Sequence, residues 1–198
     1  MKQILAIPAA GKGSRLHSNV PKLFTTVSGT KTVFDFILES LNPEIDLVLL
    51  LLSPEGKVYF DTHVAALAPA QVQVLIQSEA TGMFVAVNQL VSHVLSLSED
   101  FRLILQWGDQ PFCDQALHDA MWKDLANHDA TVPLVWVENP YVQYRFSEHG
   151  LQVAERREEE AVDAHGFKDM GIFGLSKSIL EQTWAAYAKQ AKPGNVTG

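Results

Sequence analysis

Cysteine is almost absent from this 198-residue chain: Cys113 stands alone, so no internal disulfide framework can form and the core must hold the fold, as suits a reducing compartment. Long apolar runs are missing as well. The run Leu47 to Leu52 is bounded by Asp46 and Ser53, far short of the roughly 18 residues that a membrane span requires. The opening stretch Met1 to Ile7 meets Pro8 before it could build the apolar segment of a signal peptide. A cytoplasmic protein with no membrane partner is expected. Acidic residues are lacking from Met1 to Phe34, where Lys2, Lys12, Arg15, Lys22 and Lys31 give +5, so the net charge of −8 leaves −13 for the rest. The overall sign disfavours nucleic acid. A basic segment in an acidic chain suits a small anionic ligand instead.

Metal signatures of the zinc kind are absent, because the seven histidines form no His-Glu-x-x-His and no Cys-His spacing. The histidines are expected on the surface or in the core, and Cys113 is expected to be buried. What remains, at 47% hydrophobic and 19% charged residues, is a globular composition of a size that one domain, residues 1–198, can accommodate.

Along the chain, strand and helix patterns alternate. Gln3 to Ile7 reads as a buried strand that ends at proline, and Pro8 to Ser18 as an ordered loop. Thr32 and Asp35 form a capping-box pattern before a helix carrying Val33, Phe34, Ile37, Leu38 and Leu41. Ile45 to Leu52 is apolar enough for a strand covered on both faces. Val58, Val64 and Leu67 suggest a helix after Pro54, and Gln71 to Gln77 a third strand. Helix Gly82 to Leu97, strand Phe101 to Trp107, a helix from Pro111 to Asn127 and strand Ala130 to Val137 follow. Asn139 to Ala154 reads as a hairpin appended to the sheet, Asp169 to Leu175 as a last strand and Ser176 to Gln190 as a last helix. The pattern predicts an α/β fold, a Rossmann-like three-layer sandwich with a mostly parallel mixed sheet and helices on both faces.

The chemistry concentrates after the first strand. In Pro8-Ala9-Ala10-Gly11-Lys12-Gly13-Ser14-Arg15 two glycines flank Lys12, which lets backbone N–H groups approach an anion. The run is neither a Walker P-loop nor the dinucleotide fingerprint, which would need a third glycine where Leu16 stands. Arg15 and, seven positions on, Lys22 after Pro21 place two cations where they could meet a triphosphate. The run Ala-Ala-Gly-x-Gly-x-Arg followed by Pro-Lys resembles the signature of the sugar-nucleotide pyrophosphorylases and their nucleotidyltransferase relatives. Among them it is most similar to the N-acetylglucosamine-1-phosphate uridyltransferase domain.

The resemblance runs in order from about Ile4 to Ser176. It implies that Ala9, Ala10, Gly11, Lys12, Gly13 and Ser14 bind the nucleotide and that Arg15 and Lys22 are catalytic. Gln77 to Gly82 resembles the turn that reads the base, which implies nucleotide contacts for Gln77, Thr81 and Gly82. Gly108-Asp109-Gln110-Pro111 ends a predicted strand, where open α/β sheets bind ligands; the resemblance makes Asp109 the Mg2+ ligand. Glu155, Arg156 and Asp169 fall at the family's sugar-phosphate positions.

The chain departs from the family in three places. Asp169 stands where a sugar-binding asparagine is usual, and Tyr144 where the acetylglucosamine enzymes have glycine. An aspartate accepts hydrogen bonds but donates none, so it suits a different hydroxyl pattern. The segment that supplies a second metal ligand has no counterpart, which suggests a domain truncated at its C-terminus, with a further segment as a possible partner. The expected substrates are a nucleoside triphosphate and a sugar phosphate. Alternatives are a cytidylyltransferase for polyol or methylerythritol phosphates, and a sensor that keeps the nucleotide pocket without catalysis.

Overall fold

The computed structural model describes residues 1–11, 20–79, 82–148, 150–155 and 162–190. They fall into two compact units, the first from Met1–Thr131 together with residues from Gly174 on, the second Val132–Phe173.

The first unit is built on β1 (Lys2–Ala9), whose residues Ile4 to Ile7 are completely buried. That run fills a central position because no polar side chain interrupts it. β1 pairs in parallel with β4 (Leu47–Leu52) on one side and with β6 (Phe101–Gln106) on the other. β5 (Val72–Ile76) extends the sheet beyond β4, again in parallel. Two strands complete it, β12 (Ile172–Ser176), which is the predicted last strand, and β7 (Ala130–Thr131), the first residues of the predicted strand Ala130 to Val137, and the two pair antiparallel. The order is β5-β4-β1-β6-β12-β7, the mostly parallel mixed sheet that the alternating pattern predicts. The path β1 to β4 to β5 steps one way, and the next connection, to β6, returns past β1. With right-handed crossovers this reversal places α3 (Met83–Leu95) opposite α1 (Val33–Glu39) and α2 (Pro54–His63).

Caps set the helix starts. Thr32 and Asp35 complete the predicted capping box, with the Asp35 N–H donating to Thr32 Oγ1 at 3.2 Å and the Thr32 N–H to Asp35 Oδ2 at 2.7 Å. Ser53 caps α2 and Pro54 opens it. Of the apolar residues that suggested α2, Val58 and Leu67 are exposed and Val64, which caps the helix, is half-buried; Phe60 is the large side chain of α2 that is buried. Phe60 joins Phe24, Phe34 and Tyr59 in an aromatic cluster whose ring centroids lie 5.5–6.1 Å from Phe24. The last helical stretch is α5 (Lys177–Ile179), a π-helical segment (Leu180–Trp184) and α6 (Ala185–Gln190).

The second unit is a four-stranded antiparallel sheet in the order β10-β9-β11-β8, formed by β8 (Leu134–Glu138), β9 (Val142–Ser147), β10 (Gly150–Glu155) and β11 (His165–Asp169). The predicted hairpin is present as β9 and β10, but it belongs to this sheet and not to the parallel one. The predicted strand Ala130 to Val137 divides between the two sheets because Val132-Pro133 interrupts it. On one face the buried Gln143 amide exchanges hydrogen bonds with Asp163, its Oε1 accepting from the Asp163 N–H at 2.9 Å and its Nε2 donating to Oδ2 at 2.8 Å. A Cβ at Gly166 would collide with that amide. The opposite face carries Trp136 and Phe167 edge to face, 4.9 Å between centroids.

Candidate active site at the carboxyl ends of β1 and β6

Strand order reverses between β1 and β6, and in open α/β sheets the crevice outside the carboxyl ends at such a switch point is where ligands bind. The chain leaves β1 through Ala9, Ala10 and Gly11. Ala10 is buried, and among the described residues, the chain neighbours aside, no atom lies within 4 Å of where a Cβ on Gly11 would stand. The neighbouring strand leaves through Trp107-Gly108-Asp109-Gln110. Gly108 packs on the end of β1 so tightly that a Cβ would sit 3.2 Å from Ala9 Cβ and 3.3 Å from Ile7 Cγ2. The glycine in this motif therefore brings the Asp109 turn against the first loop.

Lys22 reaches the same place from a short 3₁₀ turn, Lys22–Phe24. Pro21 fixes the entry at φ −57°, and Leu23 and Phe24 are almost fully buried, Phe24 within the aromatic cluster. With those two side chains anchored inward, the Lys22 ammonium forms an ion pair with Asp109 Oδ2. The Lys22 and Asp109 side chains are 47% and 39% exposed. At such exposure an ion pair contributes about 0–1 kcal/mol to stability, too little to account for the fold, whereas its position at the switch point is where phosphate chemistry would use it.

Two further predicted residues lie at the same edge of the sheet. Gln77 follows β5, buried, with its N–H donating to Leu52 O at 2.9 Å; β5 is two strands from β1, about 10 Å. Gly82 caps α3 at φ +99°, a conformation that favours glycine, and supplies no side-chain acceptor to the helix. Lys12, Gly13, Ser14, Arg15, Thr81 and Arg156 lie outside the described residues.

In the second unit, strand register places Glu155 opposite Val142 and Tyr144 opposite Phe167. Asp169 lies two residues along β11 from Phe167. The Asp169 carboxylate also accepts the Gly171 N–H at 2.8 Å, closing a turn at Gly171 with φ +70°.

The sequence reading missed a buried polar pair behind the Asp109 turn. Gln106 ends β6 and His118 lies in α4 (Gln115–Asp124), and both are completely buried. Gln106 Nε2 donates to Gln110 O at 2.9 Å, and Gln106 Oε1 lies 2.9 Å from His118 Nε2. Burial lowers the His118 pKa below its ordinary value, against the pull of the Asp114 carbonyl. Cys113 is buried as expected, and its thiol pKa is pushed up by burial and by Asp114, the opposite of an activated nucleophile. A hollow of about 330 Å3 lies at the other end of the sheet, among Phe101, Arg102, Asp129 and Ser176.

No helix of the described residues is long and apolar enough to cross a membrane. The chain is 32% identical over 145 residues to the bifunctional protein GlmU of Francisella philomiragia, covering 71% of this chain and 29% of that one. It is 25% identical to GlmU of Marinobacter nauticus over 96% of this chain and 41% of that protein, so it spans well under half the length of these relatives. Among solved structures it resembles a protein of Bacillus anthracis provisionally assigned as a glucose-1-phosphate thymidylyltransferase. There the TM-score is 0.70 at 20% identity, over 98% of this chain and 76% of that one. It also resembles the 2-C-methyl-D-erythritol 4-phosphate cytidylyltransferase of Francisella tularensis, with TM-score 0.66 at 14% identity over 100% and 83%. The model of the MobA-like NTP transferase domain matches residues 5–168; with its Rossmann-like sheet, its glycine-rich sequence after β1 and its Lys22–Asp109 pair at the switch point, the chain belongs to that nucleotidyltransferase family.

Proposed function

We propose that the protein transfers a nucleoside monophosphate, UMP in the first instance, from a nucleoside triphosphate to a sugar 1-phosphate. The Lys22–Asp109 pair at the switch point carries the reading. An oxygen of the sugar phosphate attacks the α-phosphorus in line; the bond from that phosphorus to the bridging oxygen of the β-phosphate breaks, and pyrophosphate leaves with both electrons of that bond. The attacking oxygen is already anionic, so no general base is needed, and the protein's task is position and charge. Lys22, with Arg15 and the backbone of Ala9 to Ser14, receives the phosphates. Gln77, Thr81 and Gly82 hold the base, and Glu155, Arg156 and Asp169 the sugar phosphate.

Magnesium fits Asp109. No group of three or more His, Cys, Asp and Glu side chains among the described residues could hold a metal by itself, and this ion commonly takes one or two carboxylates and completes its shell with phosphate oxygens and water. When bound it would supply neutralisation of phosphate charge. A second reading, cytidylyl transfer to a polyol or methylerythritol phosphate, draws on the likeness to the erythritol-phosphate cytidylyltransferase over the whole chain and on Asp169, a carboxylate that can only accept hydrogen bonds, as from the hydroxyls of a polyol. The test is pyrophosphate release from each nucleoside triphosphate against a panel of sugar 1-phosphates and polyol phosphates. Release with UTP and a sugar 1-phosphate, reduced at least about 100-fold in Asp109→Asn, is expected. Binding of a triphosphate without release from any pair would overturn it in favour of a nucleotide sensor.

A further inference from the structure

We infer that Gln106 and His118 form a buried strap that positions the Asp109 turn, which makes both of them positioning residues for the site; the inference rests on reading Asp109 as the metal-holding carboxylate. The turn from Trp107 to Cys113 joins β6 to α4, and a turn of this kind would ordinarily be free to shift. Here it is fixed from within. The Gln110 N–H donates to Trp107 O at 3.1 Å, closing the turn around Asp109. The Gln110 carbonyl on the same residue accepts from Gln106 Nε2 at 2.9 Å. The other end of the Gln106 amide, Oε1, accepts from His118 Nε2 at 2.9 Å; in that neutral tautomer His118 Nδ1 carries no proton, so its 3.1 Å approach to Asp114 O, on the residue that caps α4, is a contact and not a further hydrogen bond of the strap. The strap thus ties the end of β6, the middle of the turn and the first turns of α4 together.

Two features set it apart from ordinary core packing. Gln106 and His118 have no exposed surface, and burying an amide and an imidazole is costly unless each finds partners. An apolar pair would fill the same space without that cost, so what the polar pair adds is direction: the Gln106 amide can satisfy Gln110 O and His118 only with the turn in one place. Gly108, held against β1, fixes the turn from the front. Asp109 lies between these two anchors, one residue from Gly108 and one from Gln110.

The test compares His118→Phe, which keeps the ring volume but offers no donor, with His118→Gln, which restores a donor near the Nε2 position. Gln106→Leu breaks the strap at its other member should His118→Phe not fold, and Val91→Ala, a fully buried residue on α3, serves as a destabilised control. Hydrogen exchange is read on residues 107–113 in the unliganded protein, and the Mg2+ concentration for half-maximal pyrophosphate release in the active one. The strap predicts faster exchange confined to 107–113 and a rise of about 10–100-fold in half-saturating Mg2+ in His118→Phe or Gln106→Leu, largely reversed in His118→Gln and absent in Val91→Ala. Exchange that rises uniformly, or the same Mg2+ shift in Val91→Ala, would overturn it. Confined exchange in a protein that releases no pyrophosphate would uphold the strap and sink the reading of Asp109.

Discussion

Replacing Lys22 with alanine removes one ammonium from the carboxyl end of the sheet and takes from Asp109 its ion-pair partner. With both side chains more than a third exposed, water screens the pair, and its loss should cost about 0–1 kcal/mol of stability. For a domain of this size that is a fall in melting temperature of no more than about 2–4 °C. The effect on the reaction is of another order. A single preorganised group aimed at developing charge is commonly worth about 100- to 1,000-fold in turnover, since the triphosphate, unlike the exposed carboxylate, would be bound with water displaced. Lys22 and the metal also compete for Asp109, so half-saturating Mg2+ should stay level or fall as turnover drops. Pyrophosphate release across a Mg2+ titration and a melting curve on the same sample decide the matter. Turnover within about threefold of the parent, or a weakened Mg2+ response with normal turnover, would refute the argument that this cation acts on the phosphates.

Phe24→Ala should remove the anchor that aims Lys22. A buried phenylalanine truncated to alanine costs about 3–5 kcal/mol, and the melting temperature should fall by roughly 6–20 °C, with activity reduced even where the protein is still folded. Gly82→Ala places a Cβ on a residue at φ +99°. It should cost about 1–3 kcal/mol and raise the KM for the triphosphate, both measurable on one preparation. Burial holds the folded pKa of His118 below its usual 6.5, outweighing the carboxylates of Asp114 and Asp119. The unfolded chain therefore takes up the proton first as pH falls, so this group's share of stability is whole above about pH 6.5 and shrinks towards the lowered folded value. Melting curves from pH 8 to 5 should show that decline in the parent and a shallower one in His118→Gln.

The parallel sheet was legible because its strands are uniform. Ile4 to Ile7 and Leu47 to Leu52 contain no polar side chain and are buried throughout, so composition alone marks them as covered on both faces. The first helix was legible through Thr32 and Asp35, and the site through Gly108-Asp109 at the end of a strand, because a local pattern has a local meaning. The second sheet was legible only in its β9–β10 hairpin. Alternation in Val142 to Ser147 marks a strand of that hairpin but does not name the partner on its other side, β11, whose residues His165-Gly166-Phe167-Lys168-Asp169 have too little apolar character to stand out. The strap of Gln106 and His118 was hidden for a related reason: a polar residue ending an apolar strand reads as a boundary, and its partner lies 12 residues away. For α2, Val58 and Leu67 misled because exposed apolar residues are common, and it is Phe60, with Gly56, that turned out to face the core.

The most direct measurement follows phosphate oxygens. The acceptor selected by the pyrophosphate panel, labelled with 18O in its phosphate, is incubated with the triphosphate and Mg2+, and the products are read by 31P NMR. Direct displacement at the Lys22–Asp109 site predicts that label enters the new diphosphate, including its bridging oxygen, that the pyrophosphate carries none, and that Asp109→Asn forms neither product at a comparable rate. Label in the pyrophosphate, an unlabelled bridge, or undiminished product from Asp109→Asn would contradict the account.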